Sequence, residues 1–110
     1  MNRQDLSAAR AGLPPGDRAA LGALIKASVR AFAEQVPGHA VELRVPPHIA
    51  VQCVEGPRHT RGTPPNVVEL DAATWLGLAL GELTWTDGVA DGRISAAGPR
   101  SDLSGYFPLR

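Results

Sequence analysis

What the chain lacks narrows its function first. It has one cysteine in 110 residues, Cys53, which excludes an internal disulfide and a cysteine-based zinc site. It has no excess of either charge: eleven Lys and Arg balance eleven Asp and Glu. With no basic block to displace counterions, binding to DNA or RNA is not expected. Its apolar runs fall far short of the roughly 20 residues that a membrane span needs. The opening Met1-Asn2-Arg3-Gln4-Asp5 is polar, so no signal peptide is expected and the predicted location is the cytoplasm. His39, His48 and His59 do not fall at metal-ligand spacing, and no metal or cofactor is expected.

What is present suits one compact domain over residues 1–110, with a short helix and linker over 1–16. Glycine and proline, 12 and 10 residues, sit in clusters that punctuate the chain. Asn2 and Asp5 have capping-box spacing for a helix over 2–11 with Leu6, Ala9 and Leu13 along one side. From 18 to 36, Leu21, Leu24, Ile25, Val29, Phe32 and Val36 recur at helical spacing, and Pro37-Gly38 ends the run. The period then drops to two. Val41, Leu43 and Val45 alternate with Glu42 and Arg44, and a second strand over 48–54 places Ile49, Val51 and Cys53 on one face.

Residues 55–65 hold no large apolar side chain and read as a long loop. A short β-branched strand follows at 66–70. Asp71 is placed to cap a helix over 72–80 that Gly81 stops, and Thr84 and Asp87 have capping-box spacing for a shorter one through 90. Residues 93–97 alternate again, with Ile94 and Ala96 inward, and Ser101 is placed to cap a last short helix. The expected class is α+β: a mostly antiparallel sheet of four to five strands, wet on one face and covered by helices on the other.

Two segments carry a family resemblance. Residues 74–98 run Thr-Trp-Leu-Gly-Leu-Ala-Leu-Gly-Glu-Leu and, after a spacer, Val-Ala-Asp-Gly-Arg-Ile-Ser-Ala-Ala-Gly. Within them are Gly81-x-Leu83 and Ala90-x-Gly92 elements. The stretch from Val45-Pro-Pro through Gln52-Cys53-Val54-Glu55-Gly56-Pro57-Arg58-His59-Thr60-Arg61-Gly62-Thr63-Pro64-Pro65 to Glu69 is the more specific. Together they resemble the sterol-carrier-protein-like family, in its bacterial and chiefly actinobacterial orthologue branch. The resemblance implies a twisted sheet of about five strands with helices over one face and an apolar tunnel between the layers. It also implies non-catalytic binding or transfer of a lipid or acyl-chain ligand: fatty acid, acyl-CoA or phospholipid. Related domains occur fused to thiol-dependent isomerases, so a ligand-free accessory module, docking on a partner protein or forming a homodimer, is the alternative.

The candidate ligand-binding residues follow from chemistry. Arg58, His59 and Arg61 form the one concentrated positive patch, and guanidinium forks suit phosphate or carboxylate. The competing reading pairs these arginines with Glu55 or Glu69 on a solvated loop. Trp75, Leu76, Leu80, Trp85, Phe107 and Leu109 are the expected wall of any apolar cavity, although core packing is the default reading for both tryptophans. Cys53 has His59 nearby in sequence, as a catalytic thiol requires, but shares a strand face with Ile49 and Val51. A buried, inert thiol is the expected outcome, and no catalytic residue is assigned.

Overall fold

A computed structural model of the chain describes residues 1–56 and 66–110. In chain order its elements are α1 (Arg3–Ala11), α2 (Arg18–Gln35), β1 (Val41–Val45), β2 (Ile49–Cys53), β3 (Val67–Leu70), α3 (Ala72–Leu80), α4 (Trp85–Ala90) and β4 (Ile94–Ala97). A 3-10 turn, Ser104–Tyr106, precedes the C-terminal residues. Each α-helix starts where a polar side chain can satisfy a first-turn N–H group, which otherwise lacks a partner. Asn2 accepts from the Asp5 N–H at 2.8 Å and Asp17 from that of Ala20 at 2.9 Å. Asp71 accepts from Thr74 at 2.8 Å and Thr84 from Asp87 at 3.2 Å. Hydrogen bonding to Thr74 holds the Asp71 carboxyl below its usual range. At the far end of α3, Gly81 adopts φ +77, and the Glu82 N–H returns to the Gly77 carbonyl at 2.8 Å.

The four strands lie in the order β2-β1-β3-β4. β1 pairs antiparallel with β2, and β3 antiparallel with β4, but β1 and β3 run parallel. The class is therefore α+β with a mostly antiparallel sheet, as the alternation predicts. Among the described residues there is no fifth strand. Register puts Leu43 level with Val51 on one side and Val68 on the other, so that their side chains share a face. That face belongs to a single buried cluster with Leu6 of α1, Ile25, Val29 and Phe32 of α2, and Trp75, Leu78 and Ala79 of α3. Glu42, Arg44, Gln52, Glu69 and Ser95 occupy the opposite face, which the helices leave to water.

Several expectations change. Ala9 is exposed, so α1 reaches the core mainly through Leu6. Ala96 pairs with Val68 on the inner face but is exposed, because β4 is an edge strand and only Ile94 reaches the buried cluster. Ser101 caps nothing: its hydroxyl donates back to the Gly98 carbonyl at 2.8 Å, and the last helix shrinks to the 3-10 turn.

The junction between α2 and the sheet holds a backbone conformation that periodicity does not reveal. Val54 has φ +69, rare for a β-branched residue, while its N–H donates to the Val36 carbonyl at 2.9 Å and its carbonyl accepts from Ala40 at 3.0 Å. Gly38 packs directly on it. A Cβ at position 38 would lie 2.0 Å from the Val54 oxygen, so glycine is required there. Buried Asn66 ties the neighbouring segments together: its amide donates to the Ala40 carbonyl at 2.7 Å and accepts from the Arg100 N–H at 2.9 Å.

Candidate functional site

The chain has five aromatic residues besides histidine: two Trp, two Phe and one Tyr. All five meet at one end of the molecule. Phe32 comes from the last turns of α2, Trp75 from α3, Trp85 from the start of α4, and Tyr106 and Phe107 from the C-terminal strap that follows β4. The Phe107 ring runs parallel to two neighbours, Phe32 at 5.5 Å with an interplanar angle of 2° and Trp85 at 6.3 Å and 10°. Trp75 meets both phenyl rings edge-on, at 5.6 Å from Phe32 and 5.7 Å from Phe107. Tyr106 closes the group, edge-on to Phe32 at 6.0 Å. Offset-parallel and edge-to-face arrangements are the geometries that aromatic quadrupoles favour.

Burial divides this group. Trp75 is completely buried, and its indole N–H donates to the Ser28 hydroxyl at 2.9 Å while that hydroxyl donates to the Ile25 carbonyl at 3.0 Å. Phe107 and Trp85 are only half-buried, and Tyr106 is exposed. Two surface hollows flank the strap. One, of about 270 Å³, is lined by Leu83, Trp85, Phe107 and Pro108 and has no charged residue in its wall. The other, of about 320 Å³, is lined by Phe32, Val36, Tyr106, Leu109 and Arg110. Both lie near the lower end of the ~300–1,000 Å³ range usual for small-molecule sites. Phe107 borders the first, Phe32 the second, and their stacked rings stand between them.

The sheet side is different. Val41, Leu43, Val45, Cys53 and Val68 expose no surface at all, although the wall of a water-sized cavity would. Among the described residues the layers are therefore in direct contact over the sheet, unlike the open tunnel that the resemblance implies.

Of the residues singled out from sequence, Trp75, Trp85 and Phe107 come together in the aromatic group, and Leu109 joins the wall of the larger hollow. Leu76 and Leu80 are buried in the core and line neither hollow. Arg58, His59 and Arg61 lie outside the described residues. Sequence reasoning did not select Phe32, which reads simply as part of the α2 apolar stripe, nor Tyr106. Its position beside Phe107 was the available signal.

Cys53 is fully buried, and burial pushes its thiol up to about 11, so at neutral pH it is protonated and unreactive. His39 is engaged with the Gln52 side chain, and His48 packs against Gly22 of α2. No group of three or more His, Cys, Asp or Glu among the described residues is placed to hold a metal ion, and no helix there is long and apolar enough to cross a membrane.

Among curated proteins, none matches the sequence. The family model described as "Bacterial SCP ortholog" matches residues 17–109, nearly the whole chain from α2 to the strap. With the α+β fold that the resemblance implied, this chain belongs to the bacterial sterol-carrier-protein ortholog family.

Proposed function

We propose that the protein binds the apolar chain of a fatty acid, acyl-CoA or phospholipid and carries out no chemistry of its own. The seat we propose is the aromatic end, between Phe32, Trp85 and the strap, rather than a tunnel along the sheet. One observation carries this reading: every aromatic ring of the chain converges there, beside an uncharged hollow. Burial of about 0.8 kcal/mol per CH2 would let a ten-carbon chain offset the cost of ordering it. In this reading Arg58 and Arg61, with His59, take the anionic head group, which is the chemistry that guanidinium forks serve. Family membership supports a carrier role, and the protonated, buried thiol supports the absence of catalysis.

Titration of delipidated protein with a fluorescent fatty acid tests the proposal. Saturable binding at micromolar ligand, weakened by Trp85→Ala, is expected, and its absence would sink the carrier reading. A docking role is the second reading, favoured by the direct contact of the two layers over the sheet. A protein that binds no ligand yet self-associates or captures a partner would establish it.

A further inference from the structure

The site just proposed is occupied by the chain itself. Phe107 sets a half-buried ring against both Phe32 and Trp85, parallel to each, as a bound apolar ligand would. We propose that Phe107 is a self-ligand: the strap from Ser104 to Leu109 plugs the apolar site, and an incoming acyl chain takes the place of the ring. This inference rests on the carrier reading and adds the mechanism of access to it.

The way the strap is held favours displacement. Its 3-10 turn is closed by local bonds, Tyr106 N–H to the Leu103 carbonyl at 3.0 Å and a long 3.4 Å contact from the Phe107 N–H to Ser104. Its backbone tie to the helical layer is the Leu109 N–H donating to the Ala79 carbonyl at 2.9 Å. Side-chain burial of Phe107 and Leu109 supplies the rest. The hollow of about 270 Å³ borders Phe107 and that of about 320 Å³ borders Phe32, which stacks on it, so withdrawal of the Phe107 ring would open one toward the other along Phe32, Trp75 and Trp85. A hydrocarbon chain suits the aromatic wall of such a trough, with Thr84, Thr86, Ser104, Gln35 and Arg110 as the polar members of the two linings. Because the plug must leave first, the measured affinity of the intact protein is the intrinsic affinity reduced by the fraction of molecules with the strap displaced.

Dodecanoate is a suitable probe, with two measurements. Phe107→Ala should bind it at least about tenfold more tightly than the unaltered protein, since the variant no longer competes with itself. Equal or weaker binding by a folded variant would overturn the plug while leaving the carrier reading intact, because Phe107 would then be wall. Should the variant fail to fold, hydrogen exchange on the unaltered protein decides. Saturating dodecanoate should speed exchange of the Leu109 amide by about tenfold or more as its bond to Ala79 opens. Unchanged or slower exchange with the probe bound would overturn the proposal. No binding to either protein would remove the carrier reading and this inference together.

Discussion

The two ends of the buried cluster follow different rules. At the sheet, aliphatic side chains such as Val41, Leu43 and Val68 stand on hydrogen-bonded strands and expose nothing. At the aromatic end, rings from four elements, two of them half-buried and one exposed, meet beside two open hollows, and one of the contributing segments is held by little regular bonding. Close packing leaves no room for exchange, because every neighbour is already in contact. The aromatic end retains that room.

The contrast can be broken most directly at Leu43. Leu43→Ala leaves a void beneath the helices and should lower stability by about 2–5 kcal/mol in urea unfolding, while the folded fraction keeps its affinity for dodecanoate. A parallel loss of affinity would mean that the two ends are not separable. Phe107→Ala removes a half-buried ring at a place with space to relax, so its cost should be about 2 kcal/mol, below the ~3–5 usual for a fully buried phenylalanine.

Trp75→Phe sharpens the boundary between the regions. It keeps an edge-on ring but removes the indole donor from Ser28, and a loss of about 1 kcal/mol is expected. Val54→Gly should act in the opposite direction. Relief of the left-handed valine should raise the urea midpoint by about 1 kcal/mol of stability, and a lower midpoint would show that the side chain outweighs the backbone.

At neutral pH the last effect vanishes, because it is confined to alkaline pH. Cys53 ionises near 9.0 when exposed but near 11 in the fold. The unfolded chain therefore releases this proton first. The contribution is fully present below pH 9 and declines as pH rises toward 11. Cys53→Ala should flatten that part of the stability profile. Iodoacetamide at pH 8 should label the folded protein far more slowly than a model thiol.

Much of this architecture is legible in single residues. Asn2, Asp71 and Thr84 begin helices where their side chains meet orphan N–H groups, and Gly81 ends α3 in the left-handed conformation that its position suggested. The inward faces of β1 and β2 follow from alternation. What alternation cannot supply is the partner of a strand: the parallel pairing of β1 with β3 joins Leu43 to Val68 past the whole of β2. It also cannot foresee an edge, so Ala96 seemed inward. Polar side chains inside the fold were equally hidden. Ser28 and Asn66 are ordinary in the sequence and become structural only through Trp75, Ala40 and Arg100, which lie far along the chain. The aromatic group was half visible, since Trp75, Trp85 and Phe107 suggested an apolar wall, whereas Phe32 was masked by the helical stripe to which it belongs.

The unequal surroundings of the two indoles give the molecule its own optical gauges. Trp75, dry and hydrogen-bonded to a hydroxyl, should emit toward the blue and report global unfolding. Trp85, at the lip of a hollow, should emit further to the red and shift whenever the strap moves or a guest arrives. Global unfolding and movement of the strap can thus be watched in one unlabelled sample, each through its own band.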